Sequence, residues 1–330
     1  MVSRHLKTIA TLATPVALPV ERLSGRLCDS NEPAVLVFAG APETADFVAG
    51  VLIEIEGREP VGRLQSPPAL RGAAFDGWCE GADLAIAEVP WLWRFSLPAN
   101  AGFRIPAWVS QEIRAADGAT IVLPAALRRE VMRHCRREKY SVEFSADAAV
   151  IRQFYSEQYR PYVAARFGAG AVVVDEPRFL SVSRGMTLAA LHSGNDWIAG
   201  MLFRRRGTTL ELGWFGSTSV PPRTGASEVL DTLVIDQAVC GGVRRVILGH
   251  SRPSLMDGVV RYKSRFGAVI RPTRFPQRVI GFQLKRPSPA LAAALNAAQF
   301  VALPRGRPEV CEWRIRPPLS GDSRVPSPST

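Results

Sequence analysis

The second half of the chain constrains the fold most, because strands and helices follow one another there in a regular order. Read by hydrophobic periodicity, Ser141–Phe144 is a short strand, and Asp147–Phe167 is one or two helices with Pro161 marking a break. Pro177–Met186 is another short helix. Three successive strands follow at Thr187–His192, Trp197–Arg204 and Thr208–Phe215. Ser193-Gly194-Asn195-Asp196 supplies the hairpin turn between the first two. A Pro/Gly loop at Val220–Ser227 leads into a helix at Glu228–Cys240, which Gly241 and Gly242 end. Val243–Leu248 is a strand, Leu255–Phe266 a helix, and Val269–Arg274 and Val279–Leu284 read as closing strands. The order is that of an α/β chain, of the α+β type, with a mixed sheet flanked by helices.

The first 120 residues are less regular. Ala34–Phe38 reads as a buried strand, closed by Gly40, with a helix over 43–55 and a second strand at Asp83–Val89. The unit lacks both G-x-G-x-x-G and G-x-x-x-x-G-K-[ST], so it supports no nucleotide site. Residues 57–80 are rich in Gly, Pro and Arg and read as loop. Trp91, Trp93, Phe95, Phe103 and Trp108 form an aromatic stretch, read chiefly as core. Leu123–Tyr140 is a helix whose apolar stripe is Leu127, Val131, Met132 and Cys135, with arginines filling the rest.

Composition narrows the class. Of the 330 residues, 47% are apolar and 22% charged, enough apolar material for one large or two moderate cores. No apolar run is long enough for a transmembrane helix. Arg4, His5 and Lys7 before Ile9–Val20 only weakly imitate a signal peptide, and the segment reads as extended chain. Cys28, Cys79, Cys135, Cys240 and Cys311 form no C-x-x-C pair. No metal site is expected, and the expected setting is the reducing cytoplasm. The formal charge of +11 suits an anionic partner without choosing one.

Three words carry a resemblance: Ile198-Ala-Gly-Met-Leu202, Gly249-His-Ser-Arg-Pro253 and Asp257-Gly-Val-Val-Arg-Tyr-Lys-Ser-Arg-Phe-Gly267. Together with the element order, they resemble the GNAT acyltransferase superfamily, in its FemAB-like branch with a BioF2-like acetyltransferase domain. The last word resembles that branch's aromatic-Lys-x-x-aromatic-Gly signature, and the basic helix before residue 140 its arginine-rich helix. The resemblance covers about residues 123–286. It implies an N-terminal α/β half, a degenerate GNAT-like one, over 1–122. Composition marks 287–330 as a Pro-rich, partly disordered C-terminal segment, with a short alanine-rich helix at Ala290–Val301.

The resemblance implies an N- or O-acyltransferase. The donor would be acyl-CoA (acetyl-CoA) and the acceptor an amine or hydroxyl on a small molecule or glycan, in polysaccharide or cell-envelope synthesis. Trp214, Phe215 and Gly216 would hold the pantetheine arm. Arg223, Gly225, Ala226 and Ser227 would cradle the pyrophosphate at a helix N-terminus, where free N–H groups and the helix dipole favour anions. Ser227 is placed to cap that helix. The pyrophosphate word is imperfect, since Arg223 stands only two residues before Gly225. His250, past a strand end and able to titrate near neutrality, is the first candidate base. Tyr262 is a candidate acid, Asp257 an orienting group or helix cap, Glu211 a second base, and Lys263 a partner for a substrate carboxylate or phosphate. Two alternatives stay open. One is an aminoacyl-tRNA-dependent transferase of the peptidoglycan-bridge type, favoured by the positive charge. The other is a GNAT-fold protein without catalysis.

Overall fold

The computed structural model describes residues 17–97, 103–117, 119–167, 173–219, 225–273, 278–304 and 307–313. The first half runs β1 (Leu18–Leu27), β2 (Pro33–Ala39), α1 (Pro42–Leu52) and β3 (Ile53–Leu64), then α2 (Ala73–Trp78), β4 (Leu84–Pro90), β5 (Phe103–Pro106) and β6 (Val109–Arg114). Pro42 opens α1 because a first-turn N–H has no intrahelical partner to lose. Every residue of β4 is buried, as a strand covered on both faces should be. Of the expected loop over 57–80, α2 takes 73–78 and the first third is β3, an edge strand paired only with β1. Its Gly57, Pro60 and Gly62 are tolerated because an edge strand leaves one row of N–H groups without ladder duty, and its mostly exposed side chains hide the alternation that would have marked it.

Helix α3 (Ala125–Glu138) joins the halves. Leu127 and Val131 are buried, but Met132 is half exposed and His134 takes the buried place expected for it. The chain then runs β7 (Tyr140–Ser145), α4 (Ala148–Phe154), a π-turn at Tyr155–Tyr159, α5 (Arg160–Phe167) and α6 (Glu176–Ser183). The expected break at Pro161 is that wide π-turn, placed where proline withholds an N–H from the ladder. Next come β8 (Thr187–Ser193), β9 (Asp196–Arg206), β10 (Thr209–Ser217), α7 (Ala226–Cys240), β11 (Arg245–Ser251), α8 (Gly258–Ser264) and β12 (Val269–Arg271). The β8–β9 turn is tight, with Gly194 in the left-handed region at φ 62°. β13 (Arg278–Leu284) and α9 (Pro289–Ala297) follow, then the short pair β14 (Val301–Ala302) and β15 (Glu309–Val310).

Two mixed sheets result. Their orders are β3-β1-β2-β4-β13-β5 and β12-β6-β11-β10-β9-β8-β7. The second has the GNAT-like arrangement: an antiparallel run β7 to β10, then α7 crossing to β11, which lies parallel to β10. The expected closing strand at 279–284 is not in that sheet. As β13 it lies between β4 and β5 of the first sheet, antiparallel to both. In return, β6 leaves the first half and lies between β11 and β12, antiparallel to both. Each sheet therefore contains one inner strand supplied by the other half. Arg252, just past β11, ties the halves again: it donates to Glu43 O at 2.8 Å and to Thr44 Oγ1 at 3.3 Å, and stacks 3.9 Å over Trp108. Of the aromatic stretch expected in the core, Phe103 packs against Phe282 at 4.6 Å. Trp91 and Phe95 stand exposed, with the Arg94 guanidinium 3.7 and 4.1 Å from their ring centres.

Candidate active site

Strands β10 and β11 begin as neighbours and then part. Thr209–Glu211 pairs with Arg245–Ile247, and beyond that β10 keeps only its ladder to β9, with a bulge between Leu212 and Phe215. β11 has its own irregularity between Ile247 and His250, where Gly249 takes φ 77°. The gap opens into a cavity of about 330 Å³. Leu212, Gly213 and Phe215 line it from β10, Leu248, Gly249 and His250 from β11, and Ser227 and Asp231 from α7. Tyr262 and Lys263 line it from α8, and Tyr162 and Arg166 from α5.

His250 is exposed, at the cavity mouth. Desolvation of its ring and the nearby Lys263 charge hold its pKa below the ordinary value, which keeps it neutral and able to accept a proton. Its backbone register partner is Ser110 of β6. Lys263 is 8% exposed and donates to His250 O at 2.7 Å and Ser251 Oγ at 3.0 Å. Burial pulls its pKa down to about 8. Ser251 donates to Gln111 Oε1 at 2.8 Å, and Gln111 Nε2 donates to Val260 O at 3.1 Å. Gln111 is fully buried and belongs to the first half. The exchanged strand β6 thus fixes the end of β11, which carries His250, against α8, which carries Lys263.

Tyr262 donates to Asp231 Oδ2 at 2.6 Å. Burial pushes the phenol well above its ordinary pKa, so it stays protonated. Burial also lifts the Asp231 carboxyl to about 7, against the pull of the Tyr262 hydrogen bond and of Lys263. Asp231 sits deep among protein atoms, yet keeps partial solvent contact along the cavity it lines.

The remaining candidates are dispersed. Asp257 caps α8: its Oδ1 accepts from Val259 N at 3.0 Å and Val260 N at 2.9 Å. Glu211 is half-buried on β10 and does not line the cavity. Phe215 faces the cavity and meets Tyr162 edge-on at 5.3 Å. Trp214 packs instead on Phe179 at 4.7 Å. At Gly216 a Cβ would lie 2.6 Å from Tyr159 N, so the glycine admits the π-turn against the sheet.

Ser227, expected to cap α7, does not cap it. Gly225 is the N-cap, left-handed at φ 72° and without a side-chain cap bond, because only glycine enters that conformation cheaply. Ser227 is the second helical residue and donates to Glu228 Oε2 at 3.1 Å. A Cβ on Gly225 would meet the His134 ring of α3 at 2.6 Å. A phosphate-bearing donor fits this place in part. The uncapped helix start and the small Gly225 and Ala226 suit an anion, whereas Glu228 in the first turn opposes one and is itself paired with Arg265 at 3.1 Å. Arg223, the expected cation, lies outside the described residues.

Sequence reasoning missed Asp231, Arg166 and Tyr162. The signal was faint: Ser227 and Asp231, and Tyr162 and Arg166, are each spaced four apart on one helix face. Among the described residues, no group of three or more His, Cys, Asp or Glu is placed to hold a metal ion, and no helix is long and apolar enough to cross a membrane.

No family model and no curated protein matches the chain. Solved structures similar to it include L-PGS from Bacillus licheniformis, 13% identical over 83% of this chain and 87% of that one, with a TM-score of 0.40. FemX is 9% identical over 78% and 83%, with a TM-score of 0.40. A GCN5-related N-acetyltransferase from Sphaerobacter thermophilus is 13% identical over 79% and 80%, with a TM-score of 0.36. Likenesses this distant carry no inference about chemistry.

Proposed function

We propose that the protein is an acyltransferase of the FemAB-like branch, moving an acyl group from acyl-CoA to an amine or hydroxyl, with the donor arm held between β10 and β11. The observation that carries this reading is the parting of those two strands over a cavity that brings His250, Tyr262 and Lys263 together. Exposed backbone along the gap offers hydrogen bonds to an amide-bearing chain. His250 is neutral and placed at the mouth, where an acceptor enters. The acceptor is proposed to be a small molecule or glycan of envelope or polysaccharide synthesis. The site's place is proposed to be the cytoplasm, and the GNAT-like unit to be the seven-stranded sheet with its helices, about 123–271 together with β6. The test is thiol release from acetyl-CoA and longer acyl-CoAs across a panel of amine and hydroxyl acceptors. Absence of both thiol release and CoA-thioester binding would overturn the reading.

One observation favours a second reading, transfer from an aminoacyl-tRNA. Arg128, Arg129, Arg133, Arg136 and Arg137 surround the exposed Met132 in an open groove of about 670 Å³ along α3. Such a face suits a phosphodiester backbone. Binding of aminoacyl-tRNA that weakens steeply with salt, and falls on Arg133→Glu, would support this donor. Salt-independent binding would exclude it.

A further inference from the structure

Asp231 was not anticipated, and neither the cap nor the packing of α7 requires an acid there. Its neighbours on α7, Val229, Leu230, Thr232, Val234 and Ile235, are buried. Asp231 Oδ2 is the acceptor for Tyr262, and both residues line the cavity. We infer that Asp231 and Tyr262 form a proton shuttle for the transfer reaction, with Asp231 acting through the Tyr262 hydroxyl as the place where the acceptor's proton is held. The inference rests on the acyl-transfer reading above and deepens it.

The acceptor's nitrogen or oxygen attacks the acyl carbon of the thioester, forming the new C–N or C–O bond. Tyr262 Oη takes the nucleophile's proton while passing its own to Asp231 Oδ2. When the C–S bond breaks, Asp231 returns that proton to Tyr262 Oη, and Tyr262 delivers one to the departing sulfur. Both residues end as they began, and the proton has moved from acceptor to thiol.

The surroundings suit a group that must both take and return a proton. Lys263 of α8 faces Asp231 with a positive charge, and Glu228, one turn earlier on α7, with a negative one. His250 of β11 and Arg166 and Tyr162 of α5 line the same cavity. Burial leaves the Asp231 carboxyl near 7, so it is mostly ionised just above neutrality and readily protonated. Burial of the phenol keeps it from ionising outright, so it passes a proton without losing one.

The experiment is the pH profile of kcat/KM from pH 5.5 to 9 with acetyl-CoA as donor. It uses the full chain as wild type, Asp231→Asn, Asp231→Glu, Tyr262→Phe and the double variant, with carboxyl-13C aspartate NMR alongside. The wild type should show a rising limb near pH 7 and a carboxyl titrating with it. Asp231→Asn should lose both and fall 10²–10³-fold, and Asp231→Glu should restore the limb. Tyr262→Phe should fall equally far, and the double variant no further, because the two act as one unit. A limb that persists in Asp231→Asn, or losses that multiply in the double variant, would overturn the shuttle while acyl transfer stands. A wild type that releases no thiol from any acyl-CoA would overturn both. If Asp231→Asn does not fold, Tyr262→Phe decides alone: a rate within threefold of wild type overturns the shuttle.

Discussion

Replacing Asp231 by asparagine should stabilise the protein, and the gain should grow with pH. The group's pKa rises from 3.8 in the open chain to about 7 in the folded state. Between these values the unfolded state has given up a proton that the folded state keeps. Stability therefore falls as pH rises through this window. At 1.36 kcal/mol per unit, the cost is ~1.5 kcal/mol at pH 5 and ~4 kcal/mol above pH 7.5. Asparagine is nearly isosteric, and its carbonyl can still accept from Tyr262. It cannot supply the negative charge that favours protonated Lys263, and that loss takes back part of the gain. The net expectation is about 1 kcal/mol of added stability at pH 5 and about 2–3 kcal/mol at pH 8. Urea unfolding of wild type and variant at both pH values reads it directly. Two parallel curves, with a constant offset between pH 5 and 8, would refute the reasoning. They would mean that Asp231 titrates like an exposed carboxylate.

Gly225→Ala forces a left-handed alanine against the His134 ring, so it should cost about 1–3 kcal/mol in urea unfolding. On the acyl-CoA reading it should also weaken donor binding by calorimetry; a variant as stable and as tight as wild type would contradict both. Gln111→Ala strips partners from Ser251 and from Val260 O, and should cost about 1–3 kcal/mol and slow thiol release although Gln111 lies in the first half. Residues 123–330 expressed alone lack β6 and should show no cooperative unfolding, whereas co-expression with residues 1–122 should restore it.

The order from β7 to α8 was legible because each element carries its own period and its own stop signal. Gly194 turns the β8–β9 hairpin, Gly241 follows α7, and Asp257 caps α8, all within a few residues of what they control. The exchange of β6 and β13 was not legible. Alternation tells which face of a strand is buried but not which sheet receives it, and Val279–Leu284 would suit either. Within the site, His250, Tyr262 and Lys263 lie close in sequence and were found together. Asp231 escaped because α7 is buried nearly all round, so periodicity singles out no inner face, and its partner Tyr262 stands 31 residues away. His134 escaped because the apolar stripe of α3 was drawn through Met132 and Cys135, leaving the histidine among arginines on the face read as solvated.

The reciprocal strand exchange also sets a clock on biosynthesis. On a ribosome, β4 and β5 leave first, and the strand that belongs between them ends at Leu284, about 180 residues after Pro106. The first half must wait through the synthesis of the whole second half with the facing edges of β4 and β5 open. At ~5–20 residues per second that wait is about 10–35 s. Such long-range pairing slows folding, and open strand edges recruit other chains. The second sheet needs nothing later than β12, whereas the first stays incomplete until β13 arrives, so the half made first is the last to close.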